Sequence, residues 1–271
     1  MPELPEVEVC RLGITPHIIN QTVSDVIVRF WQLRWPIPED VLLLKNQKVL
    51  TVERRSKYLI LKFSTGSLLI HLGMSGTIRV VDKSVEVIKH DHFELLFSDG
   101  KILRLNDPRR FGAVLWLADH LDTQGVLSKL GPEPLTDDFA HDYLFNQAKN
   151  RKTPIKTFIM NNPVVVGVGN IYANEALFLA GIRPTALAGS ISKRRLNNLT
   201  DTIKAVLAAA ITQGGTTLKD FTQSDGKPGY FAQSLNVYGR GDEPCVVCET
   251  ILTEIRQSNR SSVYCHKCQK N

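Results

Sequence analysis

The sequence predicts an α+β chain of several domains: an N-terminal helix with a β-sandwich, a helical C-terminal domain, and a closing four-cysteine zinc finger. Three observations carry this. Alternating runs rich in β-branched residues fill roughly the first 130 positions, as half-buried strands do. Helical periodicity takes over after GPEPLTDD at 131–138, where two prolines and three acids break the pattern. Cys245, Cys248, Cys265 and Cys268 then close the chain with the spacing of a metal site.

In order along the chain, MPELPEVE reads first as a helix start. Pro5 suits a first turn, and Glu6 and Glu8 complement the helix dipole. From these residues alone that is the simpler reading. The alternative is chemical. Loss of Met1 before the small Pro2 would leave a secondary amine, and an α-amino group titrates near 7.7–8.0, against about 10.4 for lysine. Such an amine is available as a nucleophile near neutral pH, with Glu3 and Glu6 beside it as proton donors or acceptors.

The strand candidates are VSDVIVRF, KVLTVERRSKYLILKF, GSLLIHLGMSGTIRVV, DHFELLFSDG and KILRL, with SDG at 98–100 as a turn. Short antiparallel strands in this number suggest a sandwich. Past the break, Phe139, Tyr143 and Leu144 open a helical stretch that leads into basic Lys149–Lys152. A second helix is expected from Asn170 to Gly181. A third starts near Ser192, a fitting N-cap, with Leu196, Leu199, Ile203, Leu207 and Ala210 on one face. Residues 213–241, rich in Gly, Ser, Asp and Lys, read as a long loop.

In the zinc module, two Cys-x2-Cys knuckles flank sixteen residues. Paired knuckles supply four thiolates to one tetrahedral ion, and a closed sulfur shell leaves no open position, so one structural Zn2+ is expected. TEIRQSNRSSVY between the knuckles reads as a basic hairpin carrying Arg256 and Arg260. Cys10 stands apart and reads as a buried apolar residue.

Apolar residues make up 43 % of the chain, enough for a sizeable core, and the net charge of +6 hints at a polyanionic partner. The N-terminus lacks a basic signal region, and the apolar runs fall far short of the roughly 20 residues a membrane span needs. A soluble intracellular protein is expected, where clustered cysteines bind metal rather than form disulfides.

MPELPEVE, RRSKYL (54–59), HLGMSG (71–76), KHDH (89–92), NDPRRFG (106–112), GPEPL (131–135), VGVGNIYANE (166–175), QGGTTLKDF (213–221), QSDGKPGYFAQ (223–233) and VYGR occur in this order. Together they give a sequence that resembles the bacterial formamidopyrimidine-DNA glycosylases over essentially its full length. The resemblance implies excision of oxidised purines such as 8-oxoguanine from duplex DNA, followed by strand cleavage through β,δ-elimination. It implies a catalytic sandwich domain at 1–133, a helix–two-turns–helix domain with a lesion loop at 134–235, and a zinc finger at 236–271.

The resemblance also implies roles. Pro2 displaces the damaged base and forms a Schiff base, and Glu3 assists opening of the sugar ring. Lys57 donates a proton in β-elimination, and Arg260 grips phosphate and serves δ-elimination. Met74, Arg109 and Phe111 fill the hole left by the flipped nucleotide. His90, Arg109, Arg151, Lys156 and Asn170 contact DNA. The partner is damaged double-stranded DNA, bound by a monomer of the bacterial cytoplasm associated with the nucleoid. The sister enzyme endonuclease VIII is set aside by Leu4, by Val168 and by the loop at 223–231. A non-catalytic zinc-ribbon DNA-binding module would explain charge and cysteines but would need neither Pro2 nor Glu3.

Overall fold

A computed structural model describes residues 2–118, 125–214 and 235–271. The segments QGGTTLKDF and QSDGKPGYFAQ, read above as motif and lesion loop, fall mostly or wholly outside them. The chain divides into two compact units. One comprises Met1–Ser128 with Gln213–Ala232, the other Lys129–Thr212 with Gln233–Asn271.

The first unit opens with helix α1 (Leu4–Ile18). Glu3 is its N-cap, and Glu3 and Glu6 close a reciprocal capping box in which the Glu3 N–H donates to Glu6 Oε2 at 2.8 Å. This satisfies backbone donors that a helix start leaves without partners. The helix-start reading of MPELPEVE is therefore realised.

Eight strands follow among the described residues: β1 (Val23–Val28), β2 (Thr51–Arg55), β3 (Tyr58–Phe63), β4 (Gly66–His71), β5 (Thr77–Asp82), β6 (Asp91–Phe97), β7 (Lys101–Asn106) and β8 (Ala113–Leu117). They form two antiparallel sheets, ordered β1-β6-β7-β5 and β2-β3-β4-β8. Apolar residues of both sheets and of α1 make one core, including Ile14, Leu59 and its register partner Ile70, Leu61, Phe93, Leu105 and Val114.

Two sequence runs divide where periodicity shows no break. KVLTVERRSKYLILKF turns at Ser56–Lys57 to give β2 and β3, and GSLLIHLGMSGTIRVV sends β4 and β5 to different sheets. Strand β8 has no counterpart among the sequence candidates.

The second unit contains α2 (Tyr143–Ala148), α3 (Ile155–Ile159), α4 (Asn170–Leu179), α5 (Lys193–Thr212) and the antiparallel hairpin β9 (Thr253–Gln257)–β10 (Arg260–Tyr264). Segment 160–169, between α3 and α4, makes the helix–two-turns–helix element. Helix α5 buries Leu196, Leu199, Ile203, Leu207 and Ala210, the face its period predicts, and the Leu196 N–H donates to the carbonyl of Ser192. Beyond the end of α4 lies Gly181 at φ +65°, the left-handed conformation that suits glycine after a helix. No helix among the described residues is long and apolar enough to cross a membrane.

Candidate nucleic-acid interface and zinc centre

In the first unit, topology gathers the predicted residues at one end of the sheets. The turn between β4 and β5 carries Met74, and the loop between β7 and β8 carries Arg109 and Phe111. Both cross from one sheet to the other. His71 pairs with Ala113 and Thr77 pairs with Asn106, so the two crossings are clamped side by side at both ends. Lys57 belongs here as well, because it precedes Tyr58, which pairs with His71. His90 joins through Asp91, the register partner of Asn106.

Local geometry sharpens this end. Gly73 has φ +66°, and a Cβ there would lie 2.4 Å from the Phe111 carbonyl carbon, so only glycine lets the two loops touch. Met74 is 37 % and Phe111 46 % exposed, high values for large apolar side chains. The Arg109 guanidinium lies 5.0 Å from the centre of the Phe111 ring. Arg34, His71, Gly73, Met74 and Phe111 line a cavity of about 320 Å³.

His71 and Arg34 were not singled out from the sequence, although His71 opens the HLGMSG motif. The His71 Nδ1 accepts the Gly73 N–H at 3.0 Å. Burial, then the charges of Lys57 and Arg34, hold its imidazole down at about 4, so it is neutral at pH 7.

Pro2, Glu3 and Glu6 are all buried at the start of α1. Arg54 connects this helix to the Lys57 turn. Its Nε donates to Glu8 at 2.9 Å and its Nη1 to the carbonyl of Ser56 at 2.9 Å. A nucleophile candidate, two buried carboxyls and a lysine-bearing turn are thus held on one scaffold.

In the second unit, Arg151, Lys156 and Arg260 line one polar cavity of about 310 Å³, together with Asn161 and Gln257. Asn170 is not among its lining residues and opens α4 after Gly169. Arg260 starts β10 directly after Ser258 and Asn259, both at positive φ, the pattern of a tight two-residue hairpin turn. Arg151 and Arg260 are exposed. Lys156 is 2 % exposed, and its Nζ donates to the Ser261 carbonyl at 2.5 Å and to Ser262 Oγ at 2.6 Å.

The four sulfurs of Cys245, Cys248, Cys265 and Cys268 lie within 4.8 Å of one another. Separations of 3.9, 3.5 and 3.4 Å link 245 to 268, 248 to 265 and 268 to 248. Zinc–sulfur bonds of about 2.3 Å in a tetrahedron require sulfurs about 3.8 Å apart, so the donor set fits one zinc ion. Backbone N–H groups point at the ligand sulfurs, Val247 to Cys245 and Cys268 to Cys265. Hydrogen bonding to Thr250 pulls the Cys248 thiol down to about 6, while burial and its sulfur neighbours push Cys268 up to about 12. Four thiolates packed this closely repel one another, and a zinc ion held by them would supply the compensating charge. Cys10 is buried and apart, as its isolation suggested. Among the described residues no other group of three or more His, Cys, Asp or Glu side chains is placed to hold a metal ion.

Three family models match in order. Residues 1–114 match the formamidopyrimidine-DNA glycosylase N-terminal domain, 130–222 its H2TH domain, and 242–271 the zinc finger found in FPG and IleRS. The chain is 70 % identical over 271 residues to the formamidopyrimidine-DNA glycosylase of Colwellia psychrerythraea, and 59 % identical to that of Alteromonas mediterranea. Both alignments cover all of both chains. Among solved structures, MutM (Fpg) from Thermus thermophilus superposes with a TM-score of 0.89 at 33 % identity, over 99 % of this chain and 98 % of that one. Lactococcus lactis Fpg in complex with abasic-site DNA superposes with a TM-score of 0.90 at 28 % identity, over 99 % of this chain and 100 % of that one.

Proposed function

The chain belongs to the formamidopyrimidine-DNA glycosylase family and is a zinc-finger DNA repair glycosylase of damaged duplex DNA, and on that premise we propose that Pro2 is its nucleophile. The supporting observation is the buried start of α1, where Pro2 adjoins the capped carboxyls of Glu3 and Glu6.

Once Met1 is removed, the Pro2 nitrogen attacks C1′ of the damaged nucleotide and the base departs. The Glu3 carboxyl donates a proton to the ring oxygen as the sugar opens, leaving an iminium between Pro2 and C1′. Lys57 serves the β-elimination that expels the 3′ phosphate, and Arg260 serves the δ-elimination that expels the 5′ phosphate.

The target base must leave the stack before attack. Met74 and Phe111 are the apolar groups that fill the gap, and Arg109 donates hydrogen bonds to the orphaned base. His90, Arg151 and Asn170 are proposed on the DNA backbone, giving binding that salt weakens and base sequence hardly alters; Lys156, expected there too, has its ammonium buried on the hairpin and serves DNA through the strand it holds. Functional boundaries at 133 and 235, action as a monomer and a cytoplasmic, nucleoid-associated location belong to the same reading. A non-catalytic zinc ribbon does not account for a match that spans the N-terminal domain as well.

Borohydride tests the nucleophile. On a duplex containing 8-oxoguanine it should reduce the iminium and leave a covalent protein–DNA adduct at Pro2. Pro2→Gly should trap more slowly. Trapping at wild-type rate in Pro2→Gly, with none in Lys57→Ala, would transfer the role to Lys57.

A further inference from the structure

The loop that carries Arg109 and Phe111 is organised around Asp107, a residue the proposed chemistry does not use. Asp107 is 0 % exposed. Its Oδ2 accepts the Gly112 N–H at 2.7 Å. Its N–H donates to the carbonyl of His90 at 3.0 Å, and its carbonyl accepts the Arg110 N–H at 3.2 Å. The same carbonyl lies 3.1 Å from His92 Nε2. One residue thus ties the segment before β6 to both sides of the loop.

Gly112 shows how closely the parts fit. A Cβ there would lie 2.7 Å from the His71 carbonyl oxygen and 2.8 Å from Asp107 Oδ2. The bare glycine lets the carboxylate reach the backbone at the point where β8 begins. Arg110, held at φ +56°, places its guanidinium 4.8 Å from the centre of the Phe30 ring, while Arg109 lies over Phe111. The loop therefore sends its two exposed arginines to different rings, Arg110 to Phe30 on the sandwich and Arg109 to Phe111 within the loop.

A carboxylate is an expensive group to bury, and Asp107 Oδ1 has no hydrogen-bond partner among the described residues. Retaining it for a single loop-closing oxygen indicates that loop geometry matters more than local stability.

We propose that Asp107 is the positioning residue of the intercalating loop: it fixes Arg109 and Phe111 in register with His90 without touching DNA. This rests on reading Met74, Arg109 and Phe111 as the group that fills the vacated stack.

The test uses the full chain with Asp107→Ala, Asp107→Asn and Phe111→Ala. Steady-state kinetics on an 8-oxoguanine duplex are compared with borohydride trapping on a single-stranded abasic oligonucleotide, which has no stack to support. Asp107→Ala should raise the duplex KM about tenfold and leave single-strand trapping within about twofold of wild type. Asp107→Asn keeps an oxygen for the Gly112 N–H and should stay within about threefold on the duplex. A wild-type duplex KM in Asp107→Ala, or parallel losses on both substrates, overturns the proposal. If Phe111→Ala raises KM and Asp107→Ala does not, Asp107 alone is misassigned. If Phe111→Ala has no effect, the intercalation reading falls and this proposal with it. Should Asp107→Ala fail to fold, Asp107→Ser replaces it under the same criteria.

Discussion

The Lys156 ammonium donates to the carbonyl of Ser261 at 2.5 Å, one residue past Arg260. It is 2 % exposed and also donates to Ser262 Oγ. Helix α3 thereby holds the strand on which Arg260 is presented. Lys156→Met should lower stability by about 1.5–3 kcal/mol, the range for a buried hydrogen bond to a charged group. It should also weaken duplex binding more than its own charge explains. Thermal melting and a salt titration of binding check both. An unchanged melting temperature would show that the staple contributes nothing.

Glu175 is a second staple. This residue of α4 is 1 % exposed and accepts N–H groups from Asn236, Val237 and Tyr238 at 2.8–2.9 Å. Glu175→Gln turns one acceptor into a donor that faces donors. The expected loss is about 2–3 kcal/mol, read from urea unfolding.

Removal of zinc should act locally. With a chelator, the amides of β9 and β10 should lose exchange protection and duplex binding should fail, while those of β1 to β8 keep their protection. Normal binding by metal-free protein would refute the finger's part in gripping DNA.

His71 predicts a pH dependence. Its folded pKa, about 4, lies below the ordinary 6.5. The unfolded chain therefore takes up a proton that the folded chain refuses between these values. The stability it contributes is complete above pH 6.5 and is lost as pH falls toward 4, at up to about 1.4 kcal/mol per pH unit. Unfolding midpoints across that window should fall less steeply in His71→Asn.

Phe111 should separate stability from function. Because its ring is nearly half exposed, Phe111→Ala should change stability by about 0.5 kcal/mol or less, as surface changes usually do. Duplex KM should nevertheless rise. A large fall in melting temperature would identify the ring as core instead.

Much of this was legible because it repeats. The α5 face and the paired knuckles declare themselves through spacing, and both are realised. The division of KVLTVERRSKYLILKF was not legible, since Ser56–Lys57 is a turn without glycine or asparagine. Nor was the switch of sheets between β4 and β5, because alternation records which face is buried and not which sheet a strand joins. The roles given to Lys57, Arg109 and Arg260 came from resemblance, and topology supplies the reason that Lys57 and Arg109 lie at one end of their unit. The buried tasks of Lys156 and Glu175 depend on partners distant in sequence, and that of Asp107 on a backbone N–H five residues on, none of which a local pattern marks.

The polar staples between the helices and the zinc hairpin have a consequence for portability. Asn174 accepts the Val263 N–H, Gln269 donates to the Ile182 carbonyl, and Phe178 joins the apolar cluster around Cys245 and Cys265. The finger is a separate segment of sequence but not a cassette. Grafted onto another protein it would keep its metal and lose the orientation of its arginine, so finger and helices must be exchanged, designed or inherited together.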